Sequence, residues 1–379
     1  MSLTGNFVLI LLALLTIAAV AAVVRYWGRF SARGFKALAG RAGAIAGVQL
    51  MLLLTVCAAA NDYYGFYSSW GQLAGLASGN LGGSGVAPLG NGQTSSTISV
   101  QSTTGLQMPN GDDPAKVGQL QNTVIHGQRT GLSATAIIYL PPQYFQAAYK
   151  DTDFPAAIVS TGYPGDVTKL VSLLRYPSRL ATGIALGTDK PMVLVMMSPM
   201  IVAPRDTECT DVPDGGPQAE SFWADDVPNA VEREYRVTDQ AKGWGLIGDS
   251  TGGYCALKVA MMNSDKFGSA VSLSGYFDAL EDGTTGDLYG GSQAFRNAND
   301  LMWRLQNLPS PPISVLLTSS KSGEDDYRTT LQFARDAKAP MKVSTLIRAD
   351  GGHNFSTWNA EIAPAMQWLS NQLSAAPDN

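Results

Sequence analysis

The sequence predicts an α/β protein: a mainly parallel sheet flanked by helices on both sides, preceded by an N-terminal hairpin of two membrane-spanning helices. Three observations lead there. From Ala134 onward, short β-rich runs alternate with helical stretches. Several of these runs, Ile313-Ser314-Val315-Leu316-Leu317 among them, are almost continuously apolar, as strands covered on both faces are. Ahead of all this, residues 1–60 hold two long apolar runs separated by a basic loop.

The hairpin is the first element. Residues 7–24 are apolar apart from Thr16, and residues 42–60 are interrupted only by Gln49, Thr55 and glycines. Each run is close to the ~20 residues that a helix needs to cross a bilayer core. Arg25, Arg29, Arg33, Lys36 and Arg41 lie between or beside them, and no acidic residue precedes Asp62. A short basic loop of this kind stays in the cytoplasm, so both ends of the hairpin face outward. Tyr26, Trp27, Tyr63, Tyr64 and Phe66 suit the membrane–water interfaces. Cys57-Ala58-Ala59-Ala60 offers small residues for a cleaved signal, but a second apolar run ahead of a signal peptide is out of pattern.

A Gly-, Ser-, Thr-, Asn- and Gln-rich stretch follows at residues 73–120, exemplified by Gly79-Asn80-Leu81-Gly82-Gly83-Ser84-Gly85. It buries too little apolar surface to offset its conformational entropy and reads as a flexible tether. Expected strands come next at residues 134–140, 156–161, 192–198, 243–248, 270–274, 313–318 and 342–348. Helices are expected at 227–235, 251–262 and 327–338.

Composition narrows the chemistry. The net charge is −5, with no long basic run in the second half, which argues against a nucleic-acid partner. Two histidines and three cysteines, none in a C-x-x-C pair, leave no ligand set for structural zinc, and no metal site is expected. The cysteines allow at most one internal disulfide.

The sharpest motif is Gly248-Asp249-Ser250-Thr251-Gly252-Gly253, between an expected strand and an expected helix. That context defines a nucleophile elbow, in which flanking glycines let strand and helix approach around a strained turn carrying the serine. A serine hydroxyl needs a base, and His353 lies in Gly351-Gly352-His353-Asn354-Phe355, directly after the last expected strand. His126 precedes the first core strand and reads as structural or exposed. The acid that orients the imidazole belongs on the loop after residues 313–318, where Ser322-Gly323-Glu324-Asp325-Asp326 stands. Asp325 or Asp326 is favoured, with Glu324 in reserve. Backbone N–H groups of Thr251 and Tyr163, the latter in Ser160-Thr161-Gly162-Tyr163-Pro164-Gly165, are the expected oxyanion donors.

Further pieces fall in the same order: Tyr139-Leu140-Pro141-Pro142-Gln143-Tyr144, Asp225-Asp226-Val227-Pro228, and Trp358 after the histidine. With them the chain from about Thr123 resembles the bacterial "putative esterase" family, including esterase D-like enzymes and actinobacterial mycolyltransferases. The resemblance implies an α/β-hydrolase fold acting on carboxylic esters or transferring acyl groups, without a cofactor. Ser250 and His353 match the family's nucleophile and base. Thr161 departs from the histidine that many relatives carry before the oxyanion-loop glycine. The resemblance also gives Cys209 and Cys255 a role, as a disulfide bracing the rim of the site in an exported domain.

The sequence thus leads to three regions. Residues 1–62 form two transmembrane helices, 63–122 a juxtamembrane segment and linker, and 123–379 an extracytoplasmic catalytic domain. The expected partners are a small-molecule or lipid ester and the bilayer. Acyl transfer to a sugar or other alcohol is one alternative activity, and a non-catalytic anchored binding protein is another.

Overall fold

The computed structural model describes residues 6–30, 34–64, 97–109 and 111–375. The chain divides into two compact units, residues 1–82 and 83–379.

In the first unit, helices α1 (Asn6–Tyr26) and α2 (Phe35–Tyr64) pack against each other. Their mean hydropathies, 2.7 over Val8–Arg29 and 2.0 over Phe35–Asn61, suit a bilayer, and almost nothing on their outer surfaces is covered. Among the half-buried α2 positions, Ala37, Arg41, Ala44, Val48, Met51, Thr55 and Ala58 alternate spacings of four and three residues. That is the seam of a left-handed helix pair. The hydroxyls of Thr16 and Thr55 meet across it at 2.8 Å, so the two threonines that interrupt the apolar runs face each other. Residues 65–96 of the expected juxtamembrane segment and linker lie outside the described residues.

The second unit is built on a nine-stranded sheet in the order β1-β2-β3-β5-β4-β6-β7-β8-β9. The strands are β1 (Ile98–Gly105), β2 (Gln119–His126), β3 (Ser133–Leu140), β4 (Ala156–Ser160) and β5 (Val193–Met197). They continue as β6 (Trp244–Asp249), β7 (Ser269–Leu273), β8 (Ser314–Ser322) and β9 (Lys342–Asp350). From β5 to β9 every neighbouring pair is parallel, as expected, whereas β1, β2 and β3 run antiparallel up to β5.

Strands β1 and β2 correct the sequence reading, which extended the tether to residue 122. Their side chains are mostly polar because they stand at the sheet's edge: β1 exposes Val100, Gln101, Ser102, Thr103 and Thr104 and carries a bulge between Val100 and Ser102. His126 closes this end, its ring bonded to Ser99 Oγ (3.0 Å) and Ser133 Oγ (3.1 Å). The β2–β3 turn is held by Asp226, whose carboxylate accepts from the backbone N–H groups of Arg129 (2.8 Å) and Thr130 (3.0 Å).

Alternate residues of the buried strands feed two cores. Ile158, Leu246, Val315 and Leu317 pack toward α5 (Val227–Glu234), α6 (Thr251–Met262) and α7 (Tyr327–Asp336). Ala157, Val159, Ile247 and Leu316 pack on the other face, toward α3 (Val167–Ser172), α4 (Tyr176–Leu186) and α8 (Phe355–Gln372). Strand order reverses at β4, with β5 on one side and β6 on the other. The crevice above the carboxyl ends of β4 and β6 is therefore the natural place for a ligand.

Cys209 and Cys255 form a disulfide across a sequence separation of 46 residues. A loop of that size corresponds to roughly 4 kcal/mol in the chain-entropy picture. Cys255→Ser should therefore lower the stability of the second unit by about 3–4 kcal/mol, read from urea unfolding of the detergent-purified chain. An unchanged unfolding midpoint would mean that the bond does not form.

Candidate active site

Strand β6 ends at Asp249, Ser250 takes a left-handed φ of 54°, and α6 starts at Thr251. Ser250 N–H donates to Leu273 O of β7 (3.0 Å) and its carbonyl accepts from Tyr254 N–H (3.0 Å), which fixes the turn from both sides. A side chain at position 252 would strike the backbone oxygens of Thr161 (2.7 Å) and Ser160 (2.8 Å), so only glycine lets the helix come this close to β4. Gly162 is as tight against the serine, since a Cβ there would lie 2.7 Å from Ser250 Cβ.

His353 reaches the same point from the loop between β9 and α8. Its Nε2 is 2.8 Å from Ser250 Oγ and its Nδ1 is 3.4 Å from Glu324 Oε2. A carboxylate can only accept, so Glu324 holds the proton on Nδ1 and leaves the Nε2 lone pair for the serine hydroxyl. Trp358, from the first turn of α8, stands edge-on to the ring at 5.0 Å. Asn354 caps that helix through Ser356 and Thr357 N–H groups, so the residue beside the base is itself locked.

The structure departs from the expected acid. Glu324, and neither Asp325 nor Asp326, meets the imidazole. After β8 the chain turns at Gly323, and the next side chain, Glu324, points inward with 2% exposure. Asp325 follows into solvent, and Asp326 stands half-buried at the start of α7, where its carbonyl accepts from Thr330 N–H. Burial alone pushes the His353 imidazole down. The hydrogen bond and charge of Glu324, with Asp249 and Asp326, outweigh it and leave the pKa above the ordinary value.

For the expected oxyanion donors, Thr251 N–H opens the first turn of α6, where N–H groups have no acceptor within the helix. Tyr163 follows Gly162 directly, and its hydroxyl donates to Pro204 O (2.9 Å), anchoring the loop. Gly162 N–H is already committed to Asp249 Oδ2 (3.0 Å), which also accepts from Thr161 Oγ1 (3.2 Å). Asp249 is fully buried, and that burial pushes its pKa up to about 6, against the pull of these hydrogen bonds and of His353. It ties the loop after β4 to the elbow, a role that sequence reasoning missed. The one available signal was a charged residue at the end of an otherwise apolar strand.

A mainly parallel sheet clad by helices, with a serine raised on a strand-to-helix turn above it, is the architecture of an α/β hydrolase. A family model described as "Putative esterase" matches residues 127–369, well over half of the chain. The chain belongs to that family. An uncharacterised protein of Corynebacterium glutamicum is 22% identical over 281 residues, covering 69% of this chain and 63% of its own length. The chain thus spans a little under two thirds of that relative. Among solved structures, a ferulic acid esterase aligns with a TM-score of 0.55 at 16% identity, over 68% of this chain and 99% of its own. An S-formylglutathione hydrolase from Agrobacterium tumefaciens gives 0.55 at 13%, over 68% and 97%. A fluorophosphonate-binding serine hydrolase from Staphylococcus aureus gives 0.52 at 18%, over 67% and 99%. At such identities the likeness is one of fold.

Two outcomes follow for the site. Glu324→Gln should lower turnover of an activated ester by at least ~100-fold, whereas Asp325→Asn and Asp326→Asn stay within about threefold. The same Glu324→Gln change removes the charge that raises His353, so the acid limb of the residual rate moves to lower pH; equal losses at all three acids would refute the assignment. Asp249→Asn, which keeps an acceptor for Gly162 N–H, should retain most activity, while Asp249→Ala drops it about tenfold or more. Equal activity in the two Asp249 variants would remove the clamp.

Proposed function

We propose that the chain is a serine esterase that cleaves carboxylic esters through an acyl-enzyme. The observation that carries this reading is the continuous line Ser250 Oγ to His353 Nε2, and His353 Nδ1 to Glu324, above the carboxyl ends of the strands. Ser250 Oγ attacks the ester carbonyl as Nε2 takes its proton, and Glu324 stabilises the imidazolium without accepting the proton. The carbonyl oxygen becomes an oxyanion held by the N–H groups of Thr251 and Tyr163. The imidazolium then protonates the leaving alkoxide, so the alcohol departs and the acyl group stays on Ser250. Water, deprotonated by His353, releases the acid and restores the serine. Membership of a family described as esterase agrees with this chemistry.

The raised imidazole pKa sets a pH dependence. The base works only when neutral, so kcat/KM should fall as pH drops through a value above the usual ~6.5 of histidine. The hairpin suits a bilayer anchor, with the basic loop in the cytoplasm and the second unit outside it. The Cys209–Cys255 disulfide is in keeping with an exported domain. The acyl-enzyme would equally serve an alcohol acceptor, and adding alcohols to the assay separates transfer from hydrolysis.

The decisive experiment is fluorophosphonate labelling of the detergent-purified chain, wild type beside Ser250→Ala, followed by p-nitrophenol release from short and long acyl esters. Labelling and turnover are expected in the wild type and absent in the variant. A wild type that neither labels nor turns over would overturn the catalytic reading in favour of a binding protein on a hydrolase fold.

A further inference from the structure

On the elbow helix, Thr251, Cys255 and Lys258 are spaced i, i+4, i+7 and so share one face. All three lead to a single short segment, Glu208-Cys209-Thr210, in the connection after β5. Cys255 is bonded to Cys209. The fully buried Lys258 ammonium donates to Glu208 O (2.8 Å) and Thr210 Oγ1 (2.7 Å). The third tie runs through Tyr276, from the loop after β7. Its hydroxyl lies 2.5 and 2.6 Å from the two Glu208 carboxyl oxygens and 3.2 Å from Thr251 Oγ1. The Tyr276 ring is stacked on Tyr254 of the same helix, centroids 5.0 Å apart and 17° from parallel.

Two of these ties are enough to fasten the segment to the helix. The third differs in where it ends, at the residue directly after Ser250. It is also an expensive arrangement: Glu208 and Cys209 both adopt left-handed backbone (φ 48° and 47°), and the Glu208 side chain is buried. Consecutive non-glycine residues in that conformation persist only where their surroundings impose it, and they cluster at active sites. Burying a carboxyl group where an apolar side chain could pack is likewise unfavourable unless it is well bonded. Strain and burial converge on holding one phenol hydroxyl against Thr251.

We infer that Tyr276 and Glu208 are positioning residues for the ester reaction, holding Thr251 so that its backbone N–H stays aimed at the oxyanion formed on Ser250. This rests on the reading of Ser250 as nucleophile. Neither residue touches the reacting atoms; Tyr276 acts on the Thr251 hydroxyl, and Glu208 acts on Tyr276. The constraint matters in the transition state, where charge develops on the carbonyl oxygen, more than in substrate binding. Burial and the neighbouring Asp206 carboxylate push the Glu208 carboxyl up, against the opposing pull of Tyr276 and Lys258. A glutamine at 208 keeps an oxygen that can accept from the Tyr276 hydroxyl and is the conservative replacement.

The test is steady-state kinetics on a p-nitrophenyl ester with the full chain in detergent, with thermal unfolding recorded for every variant. Tyr276→Phe keeps the stack on Tyr254 and loses both hydrogen bonds. It should lower kcat about tenfold with KM within about twofold and the unfolding temperature little changed. Thr251→Val, which keeps the N–H and removes the hydroxyl, should give a similar loss. The double variant should be no worse than either single one, because both cut the same link. Glu208→Gln should keep kcat within about threefold, and Glu208→Leu should not.

An unchanged kcat in Tyr276→Phe, losses that multiply in the double variant, or a loss that falls on KM and unfolding temperature together would each overturn the proposal. In all of these cases the wild type still turns over and Ser250 keeps its role. A wild type that neither labels nor turns over instead removes the nucleophile, and this inference falls with it.

Discussion

The arrangement depends on one steric constraint: how closely α6 and the loop after β4 can approach the turn at Ser250. The turn puts a non-glycine residue at φ 54°, and backbone oxygens of Ser160 and Thr161 leave no room for a side chain at position 252. Once that approach is made, other features follow. Gly162 is pressed against the serine, its N–H is taken by Asp249, and Tyr163 comes next in the loop. The serine hydroxyl is presented at the reversal of strand order, where a histidine arriving beyond β9 can reach it. The strain of the turn is offset by bonds on both sides of it, to Leu273 and Tyr254.

Polar ties around the site are arranged as successive supports. Glu324 orients His353, Asp249 orients the loop after β4, and Tyr276 with Glu208 bears on Thr251. Three of these side chains are carboxyl groups buried around a site where negative charge develops on the carbonyl oxygen of the ester. Each is bonded to a donor that limits its freedom. Such supports hold a site in place without moving during the reaction, and that is what makes fixed dipoles effective there. The disulfide and Lys258 work further back, fastening the segment that carries Glu208.

How much of this is legible in the sequence varies with the range of the interactions involved. The elbow is local: a glycine pair around a serine, a strand before and a helix after. The position of Ser250 can therefore be read directly, and its meeting with His353 follows from the order of strands. The parallel sheet from β5 to β9 is legible because its strands are buried on both faces and their apolar runs are continuous. Strands β1 and β2 are not, since Gln101, Ser102, Thr103 and Thr104 face solvent at an edge and have the composition of a linker. Among Glu324, Asp325 and Asp326, composition could not choose; the turn at Gly323 decides which side chain points inward. Asp249 and Glu208 owe their parts to partners 87 and 68 residues away in sequence, a separation that no local pattern encodes.

The polar hairpin edge has a practical side for anyone cutting the chain. The composition shift near residue 122 invites a fragment beginning there, yet that cut would strip away β1 and the first half of β2. Strand β3, with Ile137, Ile138 and Tyr139 now buried, would become a raw edge with unpaired backbone groups beside an apolar surface, which is the template on which sheets aggregate. Strand β2 covers that edge, and the bulged, hydroxyl-rich β1 in turn covers β2. A fragment meant to stay in solution has to begin ahead of Thr97, inside the stretch whose sequence looks most expendable.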